Sequence, residues 1–322
     1  MTPDNKIKIA AIVGPTASGK TALSIEIAER FGGEIISCDS MQIYKDMDIG
    51  TAKPDMEERR GIPHHMIDIC DPGEKFSCSD YAEMAEKCIE DIASRGKLPI
   101  FCGGTGLYLD SVLRGVRDDG ATSDPAFRNE MQLFADINGA KALHSKLKDI
   151  DPKAANSIHP NNIRRVIRAL EVYHATGKTK TELDEISRTK GSKYDALVIG
   201  LDYENRDILY SRIDKRVDEM IDCGLLKEAR SLFDRGLLDR NTTAGQAIGY
   251  KELEPYFKGL STLEDAINTL KLDTRHYAKR QMTWFSAKEY IKWISVCKEK
   301  DGYLTKTFEE IVNNAVNLFH NW

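Results

Sequence analysis

Short apolar runs alternate with amphipathic stretches over the first third of the chain. Ile7–Val13 is a run of seven with one polar break, and it predicts a strand. Thr21–Phe31 has helical spacing. Ile35–Cys38 predicts a second strand, Ser79–Ser94 a helix ended by Gly96, and Leu98–Cys102 a third strand. A further helix follows Gly103-Gly104-Thr105-Gly106 and runs through Leu113. Strands alternating with helices imply a parallel sheet, with ligands at the carboxyl ends of its strands. Gly14–Thr21, Asp39-Ser40 and Gly103–Gly106 all fall at such ends, so three loops are expected to converge on one crevice.

The pattern changes at Asp118–Pro125, which reads as a linker. From Ala126 to about Ser187 only helical patterns occur, and the apolar run Ala196–Leu201 then restores a strand. Helices are expected at Arg206–Cys223 and Leu225–Arg235, with Gly224 and Gly236 at their ends. Ser261-x-x-Glu264 fits a capping box for a long helix to about Ala287. Ile291–Val296 predicts a last strand and Phe308–Phe319 a last helix. The expected fold is therefore α/β, a doubly wound parallel sheet. Its core comprises 1–117 and 190–322, and an all-helical insertion domain occupies 118–189.

Composition adds limits. The chain of 322 residues is 41% apolar and 30% charged, as in a soluble globular protein. No apolar run approaches the ~20 residues of a membrane span, and the polar start is not expected to be a signal peptide. Seven cysteines without a C-x-x-C pair favour reduced thiols in the cytoplasm over a zinc site. A net charge of −5 argues against general coating of nucleic acid but leaves room for a local basic groove.

The chemistry begins with Gly14-Pro15-Thr16-Ala17-Ser18-Gly19-Lys20-Thr21. Between a strand and a helix, G-x-x-x-x-G-K-[ST] is a phosphate-binding loop, and the fold is P-loop NTPase-like. Its backbone N–H groups, the helix N-terminus and Lys20 favour a di- or triphosphate, and the Thr21 hydroxyl can ligate Mg2+. The loop alone suits ATP binding, in a nucleotide hydrolase or small-molecule kinase, as well as a diphosphate that departs. No Asn-Lys-x-Asp reads guanine, and Asp118–Arg128 is too acidic for an adenylate-kinase-like lid.

Three further constellations bear on the choice. Asp39, at a strand end facing the phosphate loop, is suited to hold an amine or act as general base; alternatively it caps a helix or reaches Mg2+ through water. Thr105 brings a hydroxyl to the same crevice or serves as an N-cap. Thr274-Arg275-His276-Tyr277-Ala278-Lys279-Arg280-Gln281 leads into Trp284-Phe285. This basic, aromatic helix suits single-stranded RNA or is a solvated face over an aromatic core. Ile163-Arg164-Arg165-Val166-Ile167-Arg168 is a second basic helix. His64 and His65 are read as structural, because adjacent residues diverge on regular elements.

Together these residues resemble the tRNA dimethylallyltransferase (tRNA isopentenyltransferase) family, in its bacterial form without a zinc finger. The resemblance covers nearly the whole chain. It rests on Gly14–Thr21, Asp39–Tyr44, Asp48–Pro54, Ile62–His65, Gly103–Leu109, His159–Asn161, Arg165–Tyr173, Gln246–Lys251 and Lys279–Phe285. Cys38, where Ala is commoner, and Asn162, where Asp is frequent, are slight departures. The resemblance implies transfer of a dimethylallyl group from dimethylallyl diphosphate, with Mg2+, to N6 of the adenosine 3′ to the anticodon, in tRNAs reading codons that begin with U. It implies Asp39, Thr105 and Arg212 as catalytic residues, with Arg212 clamping the diphosphate from the side opposite the loop. It assigns tRNA contact to Asp39, Ser40, Met41, Gln42, Thr105, Phe127 and Ile163-Arg164-Arg165-Val166-Ile167. The same assignment covers Gln246-Ala247-Ile248-Gly249-Tyr250-Lys251 and Thr274–Gln281. The expected partner is the anticodon stem-loop, bound by a cytoplasmic monomer. The competing readings are an adenylate isopentenyltransferase acting on free nucleotide and a small-molecule kinase.

Overall fold

The computed structural model describes residues 6–115, 124–189, 192–240, 242–297, 299–300, 303–304 and 306–322. Strand β1 (Ile7–Val13) leads through the phosphate loop into α1 (Lys20–Phe31), and β2 (Gly33–Ser37) follows. Next come β3 (His64–His65), α2 (Cys78–Ser94), β4 (Leu98–Gly103) and α3 (Gly106–Leu113). After the insertion the chain forms β5 (Tyr194–Tyr203), α9 (Arg206–Asp222) and α10 (Leu225–Asp234). It ends with α11 (Glu254–Phe257), α12 (Leu263–Ser286), β6 (Ile291–Cys297) and α13 (Phe308–His320).

The six strands form one parallel sheet in the order β3-β2-β4-β1-β5-β6. In β1 the residues Ala10 and Ile12 join one apolar cluster with Leu23, Ile27 and Phe319, while Ile9, Ala11 and Val13 are equally buried. Burial of both residue parities means that both sheet faces are covered, as a doubly wound sheet requires. The sheet is α/β and all parallel, as the alternating runs predict.

The chain divides into two compact units. One runs to Leu109 and resumes at Lys193; the other is Asp110–Ser192. The second contains α4 (Pro125–Asn138), α5 (Ala140–Ile150), α6 (Pro152–Ser157), α7 (Ile163–Thr176) and α8 (Lys180–Thr189). Its core joins Met131, Leu143, Leu147, Val166 and Leu170. The expected linker residues 118–123 lie outside the described residues. Asp124 caps α4 by accepting the N–H of Phe127, and Pro125 opens the helix.

One local expectation is corrected, and one strand was not expected. The long helix α12 is capped by Thr262, whose hydroxyl accepts the N–H of Asp265 at 3.1 Å, and not by Ser261. The stretch Ser261–Asp265 offers two hydroxyl–acid pairs one residue apart, and spacing cannot choose between them. Strand β3, at the sheet edge, is two residues long and too short to carry a period. Its His65 donates Nε2–H to the Glu34 carboxylate at 2.8 Å, and His64 donates Nδ1–H to the carbonyl of Ile62. Both histidines are thus engaged in holding the edge.

Glu34 has a side chain only 2% exposed and collects His65, both terminal nitrogens of Arg95 and the ammonium of Lys97. Hydrogen bonds from Arg95 hold its carboxyl down from 4.5 to about 2, against the opposing effect of burial. A depressed carboxyl contributes stability that is complete above its unfolded value and lost as pH falls through the folded one. Glu34→Gln is therefore expected to lower the urea midpoint at about pH 7 and to differ much less from the parent at about pH 3. Equal deficits at both pH values would rule this contribution out.

Candidate active site

The turn from β1 into α1 is shaped by three left-handed or glycine-only positions. A Cβ on Gly14 (φ +150°) would lie 2.9 Å from the carbonyl oxygen of Leu201, so only glycine lets the loop pass β5. Ala17 sits at φ 62° and Gly19 at φ 88°. Gly19 occupies the N-cap of α1 with no side chain over the first turn, which leaves the N–H groups there to an anion. Lys20 reaches back to the Pro15 carbonyl at 3.2 Å. Burial lowers its ammonium below the ordinary lysine range, and the neighbouring charge of Arg216 adds to the effect. A buried ammonium of this kind gains from any dianion that enters.

The loop opens on a cleft of about 360 Å³. Thr16, Lys20 and Thr21 line one side. Asp39, Ser40, Met41 and Gln42, which follow β2, line another with Gly103, and the third expected loop meets them there. The Asp39 carboxylate accepts the N–H of Met41 at 2.9 Å, which fixes the turn after the strand. Thr105 lies against that turn. Its hydroxyl accepts the Ser40 N–H at 3.0 Å and reaches Ser40 Oγ at 3.3 Å. The glycines before it are demanded by close approach: a Cβ on Gly103 would strike the backbone of Cys38 at 2.1 Å, and one on Gly104 the amide of Gln281 at 1.9 Å. Tyr277 completes this corner. Burial pushes its phenol up, and the charge of Asp39 adds to it.

On α9 the guanidinium lining the cleft is that of Arg216, one helical turn beyond Arg212. Burial lowers Arg216 from its usual value, partly offset by Glu58 and Asp39. Arg212 instead donates Nε–H to the Ala17 carbonyl at 3.0 Å, bracing the phosphate loop from behind. Arg212, expected to clamp a diphosphate, is thus engaged with the loop backbone, and Arg216 is the one of the two that lines the cleft. The repeat of arginine at four-residue spacing in Arg212-Ile213-Asp214-Lys215-Arg216 was the available signal, since both lie on one helix face.

The remaining wall comes from Gln246–Gly249, Lys251, Thr274, Tyr277, Arg280 and Gln281. Several residues expected to touch tRNA are engaged elsewhere. Gln281 is 4% exposed; its amide accepts the Thr16 N–H at 2.9 Å and donates to the Gly104 carbonyl at 3.1 Å, tying two cleft loops together. Gln42 is tied to Ser37, Thr51 and Ala52. Tyr250 and Ala278 are fully buried, and Ala247 nearly so. Arg275 pairs with Asp214, its Nε 2.8 Å from the carboxylate. His276, Lys279 and Arg280 are exposed. These placements share one cause: a motif contains the residues that support a surface as well as those that form it.

One supporting residue had no local signal at all. The carboxylate of Glu228 accepts the N–H groups of Asp48, Ile49 and Gly50 at 3.1, 2.9 and 3.1 Å, and also the Tyr250 hydroxyl at 2.7 Å. It holds the Gly50–Ala52 side of the cleft from a helix some 180 positions away in sequence.

In the second unit, Val166 and Ile167 belong to the helical core, with Ile163 packed against it. Phe127 stacks on His174, ring centres 4.4 Å apart. Arg168 is paired with Glu171 at 2.5 Å, and Arg128 forks onto the same carboxylate. Arg164 and Arg165 are exposed. If they meet RNA phosphates, replacing both with Ala should lower the slope of log K against log salt by about 1–2. An unchanged slope would place them against solvent only.

The cleft offers hard oxygen donors, the Thr21 hydroxyl and the Asp39 carboxylate, beside the phosphate loop. Mg2+ is commonly held by one or two protein oxygens with phosphate oxygens and water completing the shell, so this donor set suits it. Among the described residues no group of three or more His, Cys, Asp or Glu forms a protein-only cage. No described helix is long and apolar enough to cross a membrane.

Comparison with known proteins agrees with this geometry. The family model described as IPP transferase matches residues 42–288, and one described as isopentenyl transferase matches residues 7–69. A tRNA dimethylallyltransferase of Caldanaerobacter subterraneus subsp. tengcongensis is 49% identical over 309 residues, covering 96% of each chain. One from Bacillus subtilis is 50% identical over 304 residues, covering 94% of this chain and 95% of the relative. The crystal structure of a tRNA isopentenylpyrophosphate transferase from Bacillus halodurans superposes with TM-score 0.72 at 46% identity, covering 98% and 96% of the two chains. A eukaryotic dimethylallyltransferase, solved acting on tRNA, superposes with TM-score 0.76 at 34% identity, over 89% of this chain and 73% of that one. With the phosphate loop and Asp39 on one cleft and matches of this extent, the chain belongs to the tRNA dimethylallyltransferase family.

Proposed function

We propose that the protein transfers the dimethylallyl group of dimethylallyl diphosphate to N6 of the adenosine 3′-adjacent to the anticodon, in tRNAs that read codons beginning with U. The observation that carries this reading is the shared cleft. A cationic phosphate cradle built by Lys20, Thr21 and Arg216 shares one cleft with the carboxylate of Asp39, whose oxygen accepts the Met41 N–H.

The bond that breaks is the allylic C–O bond, and its electron pair leaves on pyrophosphate. Lys20, the loop N–H groups and Arg216 meet that charge in a site shielded from water. Thr21 would hold Mg2+, which when bound supplies further positive charge to the diphosphate oxygens. The bond that forms runs from N6 to the allylic carbon. The adenine amine is weakly nucleophilic because its lone pair is delocalised, and it becomes acidic only as this bond forms. Asp39 holds the amine and takes its proton at that stage, which requires no raised pKa. Thr105 orders the Asp39–Met41 turn through Ser40. The acceptor base has to leave its stack to reach the cleft, which favours a loop nucleotide in the anticodon arm over a duplex.

Labelled dimethylallyl diphosphate, offered with an unmodified anticodon stem-loop, AMP and ATP, tests the proposal. Label in the RNA is expected. Label in AMP alone would make the protein an adenylate isopentenyltransferase, and ATP turnover without prenyl transfer would make it a kinase.

A further inference from the structure

Glu252 takes no part in the chemistry above, yet it is one of the most deeply buried carboxyls of the protein, with a side chain 2% exposed. It sits directly behind the Gln246–Lys251 wall. Its Oε2 accepts the Gly249 N–H at 2.9 Å. Its Oε1 lies 3.3 Å from the Lys251 ammonium, which is also 3.2 Å from Asp273 Oδ2 on α12. Gly249 itself is in the left-handed region at φ +105°, and a Cβ there would be 3.1 Å from the Gly50 carbonyl oxygen. One carboxyl thus anchors the peptide where two cleft loops touch and flanks the cation that lines the cleft beside it.

We propose that Glu252 is a positioning residue for RNA binding, acting through the Gly249 peptide and the Lys251 ammonium. This rests on the reading of the cleft as a tRNA prenylation site and adds to it the group that sets the shape and charge of the RNA-facing wall. Losing the carboxyl leaves a buried N–H without an acceptor, and the loop must move to satisfy it. The diphosphate cradle is made by other elements and should not feel the change.

Charge gives a second handle. Burial raises the Glu252 carboxyl to about 7, against the opposing pull of the Gly249 N–H and Lys251. The titratable groups around it are Lys251 on its own segment, and Asp273 and His276 on α12, the latter 3.9 Å from Asp273. Below that value the proton stays on Glu252, and Lys251 with Asp273 is neutral as a pair. Above it the cluster gains a negative charge that opposes RNA phosphates.

The test is steady-state kinetics with the stem-loop RNA and dimethylallyl diphosphate varied separately. Glu252→Ala is expected to raise the KM for RNA about tenfold while the KM for the donor changes less than about twofold. Glu252→Gln keeps an acceptor for Gly249. It is expected to hold the RNA KM near the low-pH value of the parent and to abolish the parent's weakening between about pH 6 and about pH 8. An RNA KM unmoved in Glu252→Ala, or a donor KM raised equally, overturns the proposal. If Glu252→Ala does not fold, a Glu252→Gln profile parallel to the parent's overturns it alone. A parent that prenylates no RNA refutes the function instead, which keeps the two failures apart.

Discussion

Asp39→Ala is expected to cut prenyl transfer by about 10²–10⁴ while leaving the donor bound almost as before. The carboxylate lines the cleft on a different loop from Lys20 and makes its one described hydrogen bond within its own turn, to the Met41 N–H. Removing it takes away the acceptor for the amine proton without touching Lys20 or Arg216. Asp39→Asn separates the two duties of the group, because the amide oxygen still accepts from Met41 but cannot take a proton. Loss of transfer in both variants, with tight binding of labelled donor retained, is the expected pattern. Turnover unchanged in Asp39→Asn would remove the base from the mechanism.

Arg216→Ala and Arg212→Ala are expected to part company. Arg216 lines the cleft and would meet the departing pyrophosphate, so its removal should cost about 10²–10³ in kcat, as for other preorganised donors to developing charge. Lys20→Ala should do comparable harm. Arg212 supports the loop through a single hydrogen bond to the Ala17 carbonyl, worth about 1 kcal/mol, and its loss should cost about tenfold or less. The reverse ranking would mean that α9 turns Arg212 toward the ligand when the donor binds, and that the cleft described here is not the reacting one. Single-turnover transfer rates at saturating RNA give the comparison without interference from product release.

How far the sequence carried the account depends on how local each feature is. The phosphate loop is local: its glycines, lysine and threonine lie in eight consecutive positions between a strand and a helix, and they form the expected cradle. The alternating runs gave the sheet for the same reason. Strand β3 escaped because two residues carry no period, and its pairing with β2 comes with His65, Arg95 and Lys97 gathering on the Glu34 carboxylate. The helix α12 was legible as basic and aromatic, but its two faces were not separated. Spacing would have done it: Ala278, Gln281 and Phe285 recur at three- and four-residue intervals and are buried, whereas Tyr277 and Arg280 turn to the cleft. Glu228 and Glu252 were out of reach. Their partners in the cleft loops are set by tertiary packing, and an acidic residue in a sequence looks alike whether it is solvated or holds three backbone N–H groups.

The central claim is that the phosphate loop holds a group that leaves, not one that is transferred. The direct measurement follows pyrophosphate release and prenyl incorporation together, in one reaction containing dimethylallyl diphosphate and the unmodified anticodon stem-loop. The account predicts one pyrophosphate for each prenylated adenosine and none in the absence of RNA. Phosphate appearing in the acceptor, or ATP consumed with no prenylated RNA, would contradict it.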